Sequence, residues 1–422
     1  MNWRELNIIQ YSGATSKERV EARKLLDAER IRCYNHDRQH GTDLLLQFTK
    51  DYMEGFEMAV AEIDDGVPIP DTQPAKAPTG KKRGRPAGSS AKVPENTNLL
   101  AAANFVGVVE TDVFEMSKFA ALRGAAMVGY SNILAAGFPV AEELQLCPHI
   151  GKLKAALNRC GKSLAITETN NGSLSIKGDK LRALVPCLAD PLAPVQPDPP
   201  MLTGDFEILK QAFSACCTVA DEKAERPMYA SVLLDPNTAT ATNGKVLLQY
   251  WHGIANLPPG TVLPAVFAKL IAGIKYKITG LGGVYDGEMM KSFTIWFENG
   301  AWLKTNCYED RWQEFSQLLD VQTNPVEIGS YEGLFEGIAA VEPFNEESPV
   351  YFGEGFVASH READAGAVYE VKNLPAGKIF DAKLIRQVSP YVLHIDLTTQ
   401  PDRGFFFGNS VRGVFMGMAG SR

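Results

Sequence analysis

The stretch Phe206-Glu-Ile-Leu-Lys-Gln-Ala-Phe-Ser-Ala-Cys-Cys-Thr-Val219 decides the reading of this chain. Phe206, Leu209, Phe213, Cys216 and Cys217 fall three and four residues apart, which predicts a helix with one apolar face. Lys210 lies on the flank of that face. Arg226-Pro227 ends helical structure, because the residue before a proline is pushed out of the helical region. Tyr229 to Leu234 has strand composition, and Asp235-Pro236-Asn237 turns the chain into a second strand, Thr238 to Tyr250, interrupted at Thr242-Asn243-Gly244. Leu263 to Ile274 reads as a second amphipathic helix, with Pro264 suited to its first turn. Ser292 to Phe297 and Ala301 to Cys307 follow as strands, joined by the hairpin turn Glu298-Asn299-Gly300. The stretch therefore holds two similar halves, each a helix followed by strands.

Working outward, Thr97 to Asp198 repeats the plan. Helices are predicted over Leu99 to Val108 and Ile150 to Cys160. Strands are predicted over Ser117 to Gly124, Ala125 to Val140, Leu164 to Thr169 and Leu174 to Pro186. Pro191 to Pro200 is a proline-rich connector. The plan recurs after Pro325, with helices Tyr331 to Val341 and Asp381 to Val388. Strands there are Pro349 to Ser359, Ala367 to Val371, Tyr391 to Thr398, Gly404 to Phe407 and Val411 to Met418. The expected class is α+β, with domains at 97–200, 201–322 and 323–422.

Residues 1–63 are charged and helix-prone, with predicted helices at Ser16 to Arg32 and Asp43 to Ile63. Prolines 68, 70, 74, 78, 86 and 94 make 64–96 a flexible linker. Inside it lies Lys81-Lys-Arg-Gly-Arg-Pro-Ala-Gly88. Its core, Arg83, Gly84, Arg85 and Pro86, resembles an AT-hook. Gly84 would let the backbone approach the floor of the minor groove while the two arginines enter its negative potential. A solvated basic linker or a plain phosphate patch is the competing reading.

The middle stretch resembles the middle domain of the bacterial DNA polymerase III β sliding clamps. Arg226-Pro227 before Ser231-Val-Leu-Leu234 is similar to that family's Arg-Pro-then-strand signature. Ala241-Thr-Asn-Gly-Lys-Val-Leu247 is similar to its Thr-Asp-Gly-His-Arg-Leu loop. Asp310-Arg-Trp-Gln-Glu-Phe-Ser-Gln-Leu-Leu319 is similar to its Gly-Arg-Phe-Pro-Asp-Tyr run. Met416-Gly-Met418 stands where the family closes with Met-Pro-Met. The resemblance covers about three-quarters of the chain, as three consecutive clamp domains forming part of a ring.

The resemblance implies a processivity factor: a homodimeric ring that encircles double-stranded DNA and tethers a DNA polymerase, with the clamp loader sharing the same pocket through linear peptide motifs. It implies a lining of helices facing the hole, with Lys152, Lys154, Arg159, Lys210, Lys269, Lys275, Lys383 and Arg386 as DNA-contacting candidates. It implies a partner-peptide pocket at Thr242, Gly244, Val246, Leu247, Leu318, Val414, Phe415, Met416 and Met418. Lys245 and Val246 replace the family's His-Arg, and Gln313 replaces a proline, so motif preference would differ. The N-terminal helices and basic linker suggest a phage or mobile-element version. A DNA-binding architectural protein, or one recruiting transcription or repair proteins on a clamp scaffold, is the alternative.

Composition sets limits on these readings. A net charge of −8 over 422 residues argues against a uniformly basic nucleic-acid binder. A ring escapes that objection, since only the local field at its lining acts on DNA. Seven cysteines without a CxxC pair read as reduced thiols of a cytoplasmic protein in a bacterial or phage-infected cell. No apolar run reaches membrane-spanning length. His36 and His40 share a helical spacing but lack companion ligands, so no metal or cofactor is expected. The chain has no phosphate-binding loop and no Gly-x-Ser-x-Gly elbow. Gly280-Leu-Gly-Gly283 reads as a loop between strands. No catalytic constellation emerges, and an enzyme is not expected.

Overall fold

The computed structural model describes residues 97–418, apart from 142–143, 161–163, 170, 190–191, 194, 288, 310–311 and 346–347. The expected N-terminal helices and the basic linker lie outside the described residues.

One order of elements, a helix, three or four strands, a second helix and three strands, occurs three times. The first repeat is α1 (Thr97–Val106), β1 (Ala120–Arg123), β2 (Ala126–Tyr130), β3 (Leu134–Pro139), α2 (Ile150–Arg159), β4 (Ala165–Glu168), β5 (Leu174–Lys177) and β6 (Arg182–Val185). The second opens with β7 (Pro200–Thr203) and α3 (Ile208–Cys216). It continues through β8 (Ser231–Asp235), β9 (Thr238–Thr242), β10 (Val246–Trp251), β11 (Thr261–Pro264), α4 (Ala265–Gly273), β12 (Ile278–Asp286), β13 (Met289–Phe297) and β14 (Trp302–Asn306). A short α5 (Ser316–Leu319) leads to the third: β15 (Val326–Glu327), α6 (Leu334–Val341), β16 (Pro349–Gly353), β17 (Phe356–Ala358), β18 (Val368–Glu370) and β19 (Lys378–Asp381). It ends with α7 (Ala382–Val388), β20 (His394–Asp396), β21 (Arg403–Gly408) and β22 (Val411–Met416).

The sheets cross the boundaries between repeats. One runs β1-β2-β3-β14-β13-β12-β7, joining the first repeat to the second by hydrogen bonds between β3 and β14. The other runs β11-β8-β9-β10-β22-β21-β20-β15, joining the second to the third between β10 and β22. All pairings are antiparallel. At the first seam Trp302 lies opposite Gly137, and a Cβ at Gly137 would sit 2.3 Å from the indole. Glycine is therefore required there by a close approach. Two smaller sheets, β4-β5-β6 and β18-β17-β16-β19, end in open edges.

Helices form where the 3.6-residue pattern put them. Leu209, Ala212, Phe213 and Cys216 of α3 are buried, with Gln211 and Ser214 exposed on the opposite side. Three expectations change. Pro264 is not in the first helical turn; it closes β11 with extended backbone (ψ 135°) and precedes α4. The strand expected over Ala125 to Val140 is a hairpin, β2 and β3, turned at Ser131-Asn-Ile133, where the Ser131 hydroxyl accepts from Leu134 N at 3.1 Å. Gly280-Leu-Gly-Gly283 is not a loop but the middle of β12. A Cβ at Gly282 would meet the Pro199 and Asp198 carbonyl oxygens at 2.6 and 2.8 Å, so the glycine lets the connector cross the sheet.

Each connector between repeats is pinned by a buried aspartate. Asp198, 2% exposed, accepts from Ser292 Oγ (3.0 Å), Thr294 Oγ1 (2.9 Å) and Lys304 Nζ (2.5 Å). Asp396, at the end of β20, accepts from the N–H groups of Asn324 (2.7 Å), Thr398 (2.8 Å) and Thr399 (3.0 Å), and from the Thr399 hydroxyl. Burial alone would raise the Asp396 pKa. The Thr399 hydroxyl and the backbone donors outweigh it and pull the carboxyl down from 3.8 to about 2. A carboxylate with a depressed folded pKa stabilises fully above its unfolded value and loses that contribution as pH falls toward the folded one. The contribution is on the order of 2 kcal/mol at neutral pH, lost between pH about 4 and about 2. Asp396→Asn replaces one acceptor oxygen with a donor. It should cost a similar amount at pH 7 and very little at pH 2, measured by urea unfolding at both pH values. Equal stability of the two proteins at pH 7 would remove the pinning role.

Candidate functional site: the seam between β10 and β22

The Thr242-Asn-Gly-Lys245 turn is locked by its own side chains. Asn243 Oδ1 accepts from Lys245 N (3.0 Å) and Val246 N (2.8 Å). Thr242 Oγ1 donates to the Val246 carbonyl (2.7 Å) and accepts from Gly244 N (3.1 Å). Gly244 sits at φ +82°, and any Cβ there would lie 2.8 Å from the Tyr229 hydroxyl, so both the conformation and the space call for glycine. Met416 N then donates to the Lys245 carbonyl at 2.8 Å, tying the last strand to the turn.

Strand alternation sorts the expected pocket residues onto two faces. Leu247 pairs with Val414, which pairs with Phe405, and these three share one face. With Leu319 they form a separate small buried cluster, against which Trp312, Phe315, Val321 and Phe407 pack. Val246 and Phe415 point the other way into the main core. The Phe415 ring lies 4.9 Å from that of Phe380 and 6.1 Å from that of Phe406. They are therefore structural and do not share the face of Leu247. Leu318 stands at the rim, 38% exposed, while its neighbour Leu319 closes on the floor. Met416 is half-buried on the Val414 side. Met418 lies further along, its N–H donating to the Ile379 carbonyl at 2.7 Å, beside β19.

The segment covering this face was legible in part. Trp312 and Phe315 are the aromatic members of the Asp310 to Leu319 run. Their rings meet edge to face at 6.2 Å, and Trp312 Nε1 donates to Ser231 Oγ at 3.3 Å. Leu319 and Phe405 were not singled out from sequence. Phe405 was findable, because it stands two strands from Leu247 on the same side of an alternating sheet.

The candidate lining residues divide by their partners. Lys210 Nζ is held by Glu207 (3.0 Å) and the Tyr276 carbonyl (2.7 Å). Lys269 pairs with Glu222 at 2.6 Å, and Arg386 pairs with Glu342. Lys154 is half-buried, its Nζ against Gly107. Lys152 and Arg159 on α2, Lys275 just beyond α4 and Lys383 on α7 are exposed and make no ion pair among the described residues. Pairing with a carboxylate removes most of a lysine's attraction for a phosphate; among the described residues it engages three of the eight and leaves five, the half-buried Lys154 included, without an ion pair. Arg83, Gly84, Arg85 and Pro86 lie outside the described residues, as do His36 and His40. Among the described residues no group of three or more His, Cys, Asp or Glu gathers as a metal site. Burial pushes the Cys217 and Cys307 thiols up to about 12, which leaves them unreactive at neutral pH.

By sequence, no protein-family model and no curated protein matches the chain. Solved structures do. The DNA polymerase III subunit β from Pseudomonas aeruginosa superposes with a TM-score of 0.63 at 14% identity, covering 77% of this chain and 98% of that one. The Caulobacter crescentus polymerase III β gives 0.62 at 14% identity over the same shares. The Helicobacter pylori β clamp bound to a DNA ligase peptide gives 0.59 at 12% identity, covering 77% and 99%. The repeated helix-and-strand plan, the sheets shared across seams and these superpositions together show that the chain has the fold of the DNA polymerase III β sliding clamps.

Proposed function

We propose that this chain is a processivity clamp: two copies close a ring around duplex DNA and tether a polymerase, with the clamp loader and other replication partners engaging the same pocket. The observation that carries this reading is the match between the two open sheet edges. Inside the chain, each seam joins the third strand of one half-sheet to the last strand of the next repeat. The strands left over by that rule are β18 and β6. On β18, Val368 and Glu370 are exposed on one face, with Tyr369 toward α6. On β6, Arg182 and Leu184 are exposed on one face, with Ala183 between them.

Paired antiparallel, Leu184 falls opposite Val368, Ala183 opposite Tyr369, and Arg182 opposite Glu370. One register therefore places an apolar pair and an opposite-charge pair together on the outer face. Shifting by two residues breaks both, and shifting by one turns the apolar faces over. An edge of exposed Leu184 and Val368 left unpaired would invite indiscriminate association. A second copy satisfies both edges at once, head to tail, and closes by a twofold axis.

The pocket reading rests on the Leu247, Val414 and Phe405 floor beside a rigid turn, with Leu318 and Met416 at the rim. An apolar cluster with Leu318 and Met416 accessible at its edge suits the anchor residue of a linear motif. The Helicobacter pylori neighbour was solved with a DNA ligase peptide, which supports such a site in this fold. No catalytic role is assigned. The test of the whole reading is retention: a closed ring stays on circular duplex and slides from linear ends, whereas an architectural groove binder treats both alike.

Four variants probe the parts. Arg182→Glu should weaken self-association about tenfold or more, because the opposed charges become repulsive at two equivalent junctions. Adding Glu370→Arg should recover the dimer, read by sedimentation equilibrium. A double variant no better than the single one would place the junction elsewhere. Leu318→Ala with Met416→Ala should leave the melting temperature within a few degrees, since both side chains sit at the rim. Removing a buried anchor contact typically costs about 2 kcal/mol of binding, so affinity for a polymerase C-terminal peptide should fall more than tenfold. By contrast, Leu247→Ala should cost about 2–5 kcal/mol of stability, because it opens the floor. Undiminished peptide binding by the rim variant would move the partner site away from this seam.

A further inference from the structure

A cleft of about 570 Å³ opens on the helix side of the second seam. Gln211 and Ser214 from α3 form one wall, Tyr250 and Tyr391 the base, and Asn409 and Ser410, in the turn between β21 and β22, the other wall. Gln211 and Ser214 are three residues apart on the exposed face of α3, so they project together. The Tyr250 hydroxyl donates to Gln211 Oε1 at 3.0 Å, which fixes the amide and leaves its NH₂ free to donate. Ser410 adopts φ +57°, with its carbonyl accepting from Trp251 N at 2.7 Å, so the turn is held against β10. Lys210 also borders the cleft, but Glu207 and the Tyr276 carbonyl occupy its ammonium group.

The lining mixes apolar surface, from Ile208 and Ala272 among others, with polar side chains that apart from Lys210 are uncharged. It is rich in neutral donors and contains no carboxylate, in a chain whose net charge is −8. Hydroxyl and amide donors gathered without a competing anion suit a phosphodiester oxygen, and such side chains are common phosphate contacts on duplex DNA. A cationic peptide would find no counter-charge there.

We propose that this cleft seats a backbone phosphate of the encircled duplex through uncharged donors, chiefly Gln211, Ser214 and Asn409. The inference rests on the clamp reading and adds a contact between the second and third repeats that the lysines do not supply. It sets the duplex against the seam whose other face carries the partner pocket. It also separates two kinds of DNA contact. Lys152 and Lys383 displace counterions, so their contribution falls with salt; the cleft's donors displace none.

The test uses the full chain, a short linear duplex and a nicked circular duplex. Gln211→Ala with Ser214→Ala and Asn409→Ala changes exposed side chains; the dimer should be unchanged, and the melting temperature should fall by no more than a few degrees through loss of the Tyr250 hydroxyl's acceptor. Affinity for the linear duplex should drop about tenfold, since each net hydrogen bond is worth a few-fold. The slope of log affinity against log salt should stay at the wild-type value. In Lys152→Ala with Lys383→Ala the slope should fall by about one unit per contact. Unchanged affinity in the triple variant overturns the proposal, and so does a reduced slope. Loss of inorganic phosphate binding with duplex affinity intact would make the cleft a free-anion site and overturn it as well. Failure of the clamp reading looks different: wild-type protein would show no preference for circular over linear duplex, while the triple variant could still be compared with it on linear DNA.

Discussion

Everything in this structure depends on hydrogen bonding across the seams between repeats. At β3–β14 and β10–β22 the backbone groups of one repeat are satisfied by the next, so neither repeat can leave without stranding a row of buried N–H and C=O groups. A seam of this kind also sets the angle between neighbours, because strand register allows no gradual slippage. Trp302 over Gly137 and Phe415 against Phe380 and Phe406 fill the space behind the two seams with rigid rings.

The connectors are long and carry proline or polar residues, yet both are fastened by the same device. Asp198 and Asp396 are buried carboxylates, each satisfied by several donors from the sheet or the connector it anchors. A buried charge is tolerated only when its lone pairs are occupied, so each site selects one placement of the connector. Gly282 completes the first by letting the Asp198 and Pro199 carbonyls lie directly on β12.

Electrostatics on the helix side follows from pairing more than from composition. Glu207, Glu222 and Glu342 draw Lys210, Lys269 and Arg386 back onto the protein surface. Exposed pairs such as Lys269–Glu222 add little stability, but they lower the local positive potential. The remaining cations lie on α2, just past α4 and on α7, and neutral donors gather at the seam between the second and third repeats.

The sequence alone determined the element plan, because periodicity is local information. The stripe Leu209, Phe213, Cys216 predicts α3, the alternation around Leu247 predicts β10, and Asn243-Gly244 predicts a turn whose backbone only glycine fits. The order of these signals was enough to point to the clamp fold, although solved relatives share only 12–14% of its residues. Tertiary structure decided what local pattern leaves open. It chose Leu319 over Leu318 for the floor, since a short helix can turn either leucine inward and only the sheet beneath selects one. It placed Val246 and Phe415 in the core, because which face of a strand is buried depends on what packs against it. It made Gly280 to Gly283 a strand, since the glycines answer a chain crossing from eighty residues away and carry no propensity of their own. It neutralised Lys269 and Arg386 through carboxylates 47 and 44 residues distant, pairings that no window on the sequence contains.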